Sequence, residues 1–576
     1  MDKKWYCARS DVGGGQRRTV AARTSRRTRV WRGFSRYFPG EVEARGGSST
    51  PWSVLRLETL LLCLSTLILF CRSLPADDAS ALNAAVESIR IEDLRRHQWT
   101  LASDSFEGRE GGSRGGRAAA AYLRRLLSDW NCQGGGDDGD FYQDFGQGFR
   151  NVLVVVPGND PELRDEYILV SAHYDHVGYG TASNSRGPHG FIHNGADDNA
   201  SGTTGLLEVL EAVTQHPVRL RRSLLIAFWD AEEKGLLGSK YWLTQPTVPL
   251  NKIRLVINSD MIGRLTADTL IVHGTRTGVG LRRLASSANR NPGLKLDFTW
   301  KIEDNSDHWP FYRRQIPFLM LHTGLHDDYH RPSDDVEKIN LAGEKSVTQY
   351  LLTLTMQAAN SPASPFRRES FDEDVESQAR FEAATKPFPP RLGITWDAEL
   401  DAKHVIEVTR VRPDSPAANA GLQVGDRILE FDGIPLTESN DIRYLVQRAP
   451  VETSCRVQRP GLPEPIDLSV QLDHSPLILG VAWQADRADP ACAVLTDIVP
   501  GSPLAKAGLK RGDRVYAIGG VPLASESDFR DKAVSQQIPS MWTVERDGSV
   551  REVAVIPVET AAIAAESAAT DEKGSQ

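Results

Sequence analysis

Short apolar runs of strand length alternate with stretches of helical period between residues 82 and 360. Apolar runs of about four to eight residues bounded by turn residues predict buried strands, whereas apolar positions three and four apart predict helices. Strands alternating with helices predict an α/β domain with a largely parallel sheet. The predicted strands are 151–156, 167–172, 223–229, 253–258, 269–272 and 318–321, and the predicted helices are 117–127, 202–214, 279–289 and 343–358.

Three of the predicted strands end in side chains that can bind metals. His173-Tyr174-Asp175-His176 ends the second strand, Glu232-Glu233 follows the third and Asp260 follows the fourth. Ligands of α/β sheets bind at the carboxyl ends of strands, so these groups can share one site. Strand alternation sends His173 and Asp175 to the same face, where the carboxylate can orient a ligating imidazole.

Two loop motifs supply further candidates. Asn194–Gly202 contains Asp197, which can bridge two cations, and Asp328–Asp334 contains His330. Each motif alone also fits an ordinary structural element, such as a helix N-cap loop. Together with the strand ends they offer two histidines and three acids, a nitrogen and oxygen set suited to zinc. The six scattered cysteines show no zinc pattern or disulfide framework.

The chain repeats itself after a Pro-rich and charged segment, 361–388, that we interpret as a linker. Pro413–Leu436 and Pro500–Leu523 carry the same Ser-Pro, Ala-Gly-Leu and Gly-Asp-Arg sequence about 87 residues apart, which predicts tandem copies of one small domain. We place the first repeat at 389–473 and the second repeat at 476–558. The last segment, 559–576, has the composition of a disordered tail.

The first 76 residues differ in charge from the rest. Residues 1–75 carry 14 Lys or Arg against 5 Asp or Glu, so the net charge of −9 leaves −18 on the remainder. An acidic main body argues against nucleic acid as the principal partner, because phosphate binding needs a basic surface. The apolar run 59–71 fits a signal-peptide core better than a membrane span, which needs about 20 residues. We expect a secreted or periplasmic protein, with an uncleaved anchor on the outer face of the membrane as the alternative.

The motifs of residues 85–360 resemble, in order, those of the co-catalytic di-zinc aminopeptidases of metallopeptidase family 28. They are His-Tyr-Asp-His, Gly-Ala-Asp-Asp-Asn-Ala-Ser-Gly, Ala-Glu-Glu, Asn-Ser-Asp-Met and Tyr-His-Arg-Pro. The resemblance implies a phosphorylase/hydrolase-like α/β/α sandwich with a mixed, mainly parallel sheet, and two zinc ions per chain. The implied ligands are His173 and Asp260 for one ion, Glu233 and His330 for the other, and Asp197 between them.

The resemblance also implies a mechanism in which two neighbouring residues act differently. Glu232 falls at the general-base position, where it would deprotonate a water shared by the metals to give a bridging hydroxide, and would then protonate the leaving amine. Asp175 would orient the His173 imidazole. Tyr329 would either donate to the developing oxyanion or pack as an ordinary buried tyrosine.

The two repeats resemble PDZ domains of the bacterial protease-associated kind. Leu392-Gly393-Ile394 and Leu479-Gly480-Val481 fall at the carboxylate-binding loop of that family, and Arg391 precedes only the first. The resemblance implies capture of C-terminal peptides by strand addition, and the alternative is that a repeat only packs against the enzyme.

Two other functions stay open at the level of sequence. A carboxypeptidase of the same family would keep the same ligands, because the choice depends on pocket groups that the motifs do not contain. A catalytically inactive PDZ scaffold is the alternative outside the enzyme class, although every expected ligand position is filled. His189 and His193 lie in a polar insertion, Val177–His193, where we expect surface loop residues rather than ligands.

Overall fold

The computed structural model describes residues 76–556, apart from 290–292, 385–387, 402–404, 438–439, 478 and 536–538. The basic N-terminal extension, the predicted signal peptide or anchor, and the tail 559–576 lie outside the described residues. Within the described part of the chain, no helix is both long and apolar enough to span a membrane. Secretion therefore stays a prediction from residues 59–71.

One nine-stranded sheet organises the N-terminal domain. The strand order is β1-β3-β5-β4-β6-β9-β7-β8, with β2 paired to β3. The four central strands β5, β4, β6 and β9 run parallel, and antiparallel strands flank them, so the predicted mixed sheet is confirmed. The strands are β1 Gln133–Gly134, β2 Tyr142–Asp144, β3 Arg150–Val156, β4 Tyr167–His173, β5 Ser223–Trp229, β6 Ile253–Ser259, β7 Thr269–His273, β8 Lys295–Phe298 and β9 Phe318–His322.

Helices cover both faces of this sheet, because alternate side chains of its strands enter two separate cores. Along β5, one core receives Leu224, Ile226 and Phe228, and the other receives Leu225, Ala227 and Trp229. This continuous apolar run is typical of a strand buried on both faces. The helices are α1 Ala76–Ser88, α2 Ile91–Leu101, α3 Arg114–Asp129, α4 Gly202–Gln215, α5 Leu237–Thr244, α6 Leu281–Ala288, α7 His308–Arg313 and α8 Leu341–Asn360.

The helix ends show where capping decides a boundary. The predicted helix 343–358 begins at Leu341, because the Asn340 side chain accepts the N–H of Gly343 and so satisfies a free donor of the first turn. Ser113 caps α3 by accepting the N–H of Gly116, so this helix begins at Arg114, three residues before the predicted start at 117. Both caps lie outside the periodic apolar pattern, which is why the pattern alone places the ends too far inside.

Each repeat forms its own six-stranded antiparallel sheet with the same strand order, as the sequence repeat predicts. A serine caps the equivalent short helix in both copies, through Ala418 N–H to Ser415 and Ala505 N–H to Ser502. The first repeat contains β10 Ile394–Trp396, α10 Ala398–Asp401, β11 Ile406–Val411, α11 Pro416–Asn419, β12 Arg427–Phe431, β13 Ile434–Pro435, α12 Ile442–Arg448, β14 Glu452–Gln458 and β15 Ile466–Gln471. The second contains β16 Val481–Asp486, β17 Asp489–Ile498, α13 Pro503–Lys506, β18 Arg514–Ile518, β19 Val521–Pro522, α14 Glu526–Ser535, β20 Ser540–Arg546 and β21 Ser549–Val555.

The second repeat packs directly on the N-terminal domain. Three arginines of the N-terminal domain pair with three buried acids of the repeat, namely Arg276 with Asp486, Arg282 with Glu545 and Arg283 with Asp489. The second repeat also approaches the N-terminal domain closely at Gly548, where an added Cβ atom would lie 2.4 Å from the Cβ atom of Leu296. Breaking a buried pair leaves an uncompensated charge, so this contact holds the repeat in place.

The predicted linker 361–388 is structured where it is described. It contains a 3₁₀ turn, Arg368–Phe371, and α9, Val375–Ala383. Glu373 accepts bonds from Arg276 and Arg367, which ties the segment to the N-terminal domain. Although burial opposes ionisation, these two arginines lower the pKa of Glu373 to about 2. The low apolar periodicity of the segment 361–388 therefore reflects ionic packing against the N-terminal domain rather than a free chain.

Candidate metal centre

The parallel strands bring the predicted strand-end residues to one edge of the sheet. β5, β4 and β6 are neighbours, and His173, Glu232-Glu233 and Asp260 stand at or just after their carboxyl ends. The loop before α4 adds Asp198, and the long loop after β9 adds His330. Residues separated by more than 150 positions in the chain therefore converge because three crossovers end at the same edge.

A first donor group surrounds the His173 imidazole. Its Nε2 lies 3.5 Å from Asp198 Oδ1 and 3.5 Å from Asp260 Oδ1. All three residues are buried. Desolvation works against a charged His173, but the carboxylates around it prevail and raise its pKa well above the usual range.

A second donor group lies on the other side of Asp198. His330 Nε2 lies 3.0 Å from Asp198 Oδ2 and 3.2 Å from Glu233 Oε1. Although burial opposes ionisation of Glu233, its contacts with His176 and His330 hold the pKa of this carboxyl well below its usual range. The two oxygens of Asp198 thus face two different donor groups.

The carboxylate between the groups belongs to Asp198, so the assignment of Asp197 to the bridging position is corrected. Asp197 points away: its Oδ1 accepts the N–H of Gly263 at 2.7 Å, and its Oδ2 lies 3.2 Å from His326 Nε2. Neighbouring residues in this loop project in different directions, and an Asp-Asp pair gives no sequence signal for which one faces the centre. Only the hydrogen bonds of each carboxylate distinguish them.

Asp334 holds this Asp-Asp loop in place. Its Oδ2 accepts the backbone N–H groups of Asp197 at 2.9 Å and Asp198 at 3.1 Å, and its Oδ1 accepts Arg264 Nη2 at 2.8 Å. Burial and the neighbouring Asp197 raise the pKa of Asp334. The loop Asp328–Asp334 thus supplies both His330 and the Asp334 carboxylate that orients Asp198.

Asp175 contacts the centre mainly through the backbone N–H groups of Glu232 and Glu233. Its carboxylate accepts the N–H of Glu232 at 3.0 Å and of Glu233 at 3.4 Å. His173 Nδ1 lies closer to the Asp175 carbonyl, at 3.2 Å, than to its carboxylate, at 3.7 Å. Asp175 therefore positions both the imidazole and the Glu-Glu pair, a broader contact than the imidazole orientation that strand alternation predicts.

The two glutamates at the end of β5 have opposite electrostatic environments. Burial raises the pKa of Glu232 well above its usual range; the nearby His173 opposes this shift, and the negative Glu233 adds to it. Glu233 shifts in the other direction because two imidazoles contact it. A pair of carboxyl groups whose pKa values are driven apart is suited to separate proton-transfer and ligand roles.

A chain of hydrogen bonds fixes Asp260 from behind. Ser306 Oγ donates to Asp260 Oδ2 at 2.6 Å, Asn258 Nδ2 donates to Ser306 at 2.9 Å, and Ser171 Oγ donates to Asn258 Oδ1 at 2.7 Å. The sequence assigned no role to Ser306. Outer partners of this kind orient metal-binding carboxylates, and here they come from three different segments.

Arg109 joins the segment before α3 to the centre. Its buried guanidinium donates to four backbone carbonyls, at Tyr174, Leu101, Asn194 and Gly195, at 2.7–2.9 Å. Burial lowers the pKa of Arg109 to about 10. Because two of these carbonyls lead into the Asp-Asp loop and one lies next to His173, Arg109 fixes the distance between them.

The insertion after β4 lies beside the centre rather than apart from it. His193 is fully buried and contacts Ser185 Oγ at 2.7 Å, so its expected place on the surface is wrong, whereas His189 is exposed. Neither belongs to the donor groups found among the described residues. Arg186 stands over the Tyr329 ring at 4.7 Å, and that ring packs on His330 at 4.0 Å.

The chemistry and spacing of these donors fit zinc. Imidazole nitrogens and carboxylate oxygens supply every donor, and sulfur supplies none in these groups. Zinc–ligand bonds of about 2.0 Å in a tetrahedron place the donor atoms about 3.3 Å apart. The donor separations of 3.0–3.5 Å around His330 and His173 agree with this value. Three carboxylates buried this closely also need compensating positive charge.

Comparisons with known proteins find relatives that match part of the chain. The chain is 26% identical over 270 residues to leupeptin-inactivating enzyme 1 of Streptomyces exfoliatus, and 27% identical over 262 residues to leucine aminopeptidase 2 of Trichophyton rubrum. These matches cover 46% and 40% of this chain, and the chain spans 56% and 48% of the relatives' own lengths. The LapA aminopeptidase of Legionella pneumophila is a structural neighbour at a TM-score of 0.41 and 18% identity, covering 51% of this chain and 79% of that one.

Models of two protein families match separate parts of the chain. Residues 151–355, which contain all the donors described above, match peptidase family M28. Residues 407–459 and 494–533, one in each repeat, match the PDZ domain. The chain therefore carries a peptidase family M28 domain followed by two PDZ domains.

Proposed function

We propose that this protein is a zinc-dependent aminopeptidase that removes N-terminal residues from peptides with two zinc ions per chain. The single observation that carries the proposal is Asp198, whose two oxygens face two separate nitrogen and carboxylate donor groups. His173 and Asp260 would hold one ion, and Glu233 and His330 the other. When bound, the ions would polarise the scissile carbonyl and lower the pKa of the attacking water.

The residues of the chain divide the remaining work. Glu232, whose pKa burial raises, accepts the proton of the attacking water and passes it to the leaving amine. Asp175 holds the backbone of Glu232 and so fixes where that carboxylate can reach. Ser306 and Asp334 keep Asp260 and the Asp-Asp loop in place. This arrangement keeps the proton carrier separate from the metal-binding carboxylates.

The choice between amino- and carboxypeptidase activity rests on the relatives. Two proteins that the chain resembles carry the name leucine aminopeptidase or leupeptin-inactivating enzyme. The donor groups themselves suit hydrolysis at either end of a peptide. Aminopeptidase activity is therefore the proposal, and carboxypeptidase activity is the alternative that an analysis of the reaction products would detect.

Peptides with blocked and free ends test this function. We expect the purified full chain to release residues from a peptide with a free N-terminus, and not from its N-acetylated form. Incubation with a chelator should abolish the release, and added Zn²⁺ should restore it. Release from the C-terminus of the N-acetylated peptide would show a carboxypeptidase, and turnover unaffected by complete metal removal would contradict the metal mechanism.

We propose further that the first PDZ domain is the copy that binds peptides. A cavity of about 310 Å³ lies between its Leu392–Ile394 loop and α12, and residues 497–500 of the second PDZ domain complete its wall. In the second copy, Trp483 packs on Phe529 and donates a hydrogen bond to Glu526 of α14. Strand addition needs such an open groove beside a strand.

Arg391 is not available to a ligand in this cavity. Its guanidinium donates to five backbone carbonyls, at Val446, Gln447, Ala449, Asp473 and His474. A peptide carboxylate would therefore be received by the backbone amides of the Leu392–Ile394 loop. Peptides with a free C-terminus should bind the full chain more tightly than their amidated forms, as measured by calorimetry. Equal affinities of the two forms would contradict carboxylate capture.

A further inference from the structure

His176 lies against the second donor group, although its motif gives it no role and the proposed function does not use it. Its Nδ1 is 2.9 Å from Glu233 Oε1 and 3.9 Å from Asp198 Oδ2. These are the same two oxygens that His330 Nε2 contacts at 3.2 and 3.0 Å. Two imidazoles thus approach one pair of carboxylate oxygens, with their rings edge to face at 5.5 Å.

The two nitrogens and two oxygens that these four separations join could be the four donor atoms of one cation site. These nitrogen–oxygen separations run from 2.9 to 3.9 Å and average about 3.3 Å, close to the donor spacing around a tetrahedral zinc ion with bonds of about 2.0 Å. The first donor group has only His173, Asp198 and Asp260 at comparable spacing. The two halves of the centre therefore differ in how many nitrogens they present.

The His176 ring has little freedom to take another position. It is 1% exposed, and a Cβ atom on Gly195 would lie only 2.4 Å from its Cδ2. Its Nε2 is buried without a hydrogen-bond partner among the described residues, so no other polar contact accounts for the orientation. Gly195 stands at φ 53°, and its missing side chain leaves the space that the ring fills.

We propose that His176 is a fourth protein ligand, through Nδ1, of the metal ion held by His330, Glu233 and Asp198. The inference rests on the proposed two-zinc function and adds a ligand to one of its sites. The consequence is an unequal pair: one site with two imidazoles and two carboxylates, the other with one imidazole and two carboxylates. The site with His176 binds zinc first and releases it last.

Zinc titration of the metal-free full chain tests the proposal. We expect two binding events in the wild-type protein, measured in competition with a coloured chelator. His176→Ala should weaken the tighter event by about 10- to 100-fold and leave the other unchanged. His189→Ala, which removes an exposed histidine of the same insertion, serves as the control and should change neither. Equal affinities in wild-type protein and His176→Ala would overturn the proposal.

X-ray absorption at the zinc edge separates a direct ligand from a residue that only orients Glu233. With both sites loaded, the wild-type protein should show about 1.5 imidazoles per zinc, because three histidines would serve two ions. A value of about 1.0 would overturn the role of His176 while leaving the two-zinc function intact. Wild-type protein that binds no zinc would instead contradict the proposed function. This measurement needs no variant, so it holds even if His176→Ala folds poorly.

Discussion

Asp198→Asn is expected to release both zinc ions and to lower kcat/KM by about 10³-fold or more. Asp198 Oδ1 faces His173 and Oδ2 faces His330, so one side chain supplies a negative oxygen to both donor groups. The amide of asparagine keeps only one neutral oxygen, and its NH₂ group is a hydrogen-bond donor that cannot bind a cation. Metal content by mass spectrometry and hydrolysis of a leucyl substrate measure the two losses.

Asp197→Asn is the matched control, because it makes the same chemical change one residue earlier. Asp197 accepts bonds from Gly263 and Ser201, and it lies beside His326, so this variant should lose stability by about 1–3 kcal/mol. Its zinc content should stay at the wild-type value. Loss of zinc from Asp197→Asn together with full occupancy in Asp198→Asn would return the bridging position to Asp197.

Glu232→Gln is expected to keep both metals and to lose about 10²- to 10⁴-fold in kcat. The amide has the shape of the carboxylate but cannot accept a proton, so it removes proton transfer and little else. Binding of a non-hydrolysable peptide analogue should be nearly unchanged. Retained turnover with full zinc occupancy would exclude Glu232 as the proton carrier.

Glu233→Gln separates the two neighbours. It should lower the affinity for one ion, because Glu233 Oε1 contacts His330 and His176 in the second donor group. Turnover would then recover partly at high zinc concentration, whereas Glu232→Gln should stay inactive at any zinc concentration. The same zinc response in both variants would contradict their division of roles.

The sequence predicts the sheet of the N-terminal domain well because its strands are buried on both faces. Each of the six predicted strands is present, with ends that differ by one residue at most. The short edge strand β8 and the helix α7 escape this reasoning, since β8 has few apolar positions and α7 is only six residues long. Periodicity needs more turns than α7 offers.

The candidate site shows the limit of motif reasoning more sharply. The spacing of strand ends finds His173, Glu233 and Asp260, because sheet topology brings them together. This spacing cannot distinguish Asp197 from Asp198, because the distinction depends on which of the two carboxylates accepts the N–H of Gly263. The His-Tyr-Asp-His motif contains His176 but indicates no role for it, because the contact of His176 with Glu233 joins residues 57 positions apart.

Long-range polar contacts account for the other differences. The buried position of His193 depends on Ser185 and the folding of its own insertion. Arg276 and Asp486 are 210 positions apart in the sequence. No local sequence pattern therefore predicts that the second PDZ domain packs on the peptidase domain. Such contacts become visible only when the backbone has placed both partners.

Crystals of the zinc-loaded protein, measured at the zinc absorption edge, test the central claim most directly. We expect two anomalous peaks, one on each side of the Asp198 carboxylate. The first should lie among His173, Asp198 and Asp260, and the second should lie beside His330 and Glu233. A single peak, or two peaks on either side of Asp197, would contradict a two-zinc centre joined by Asp198.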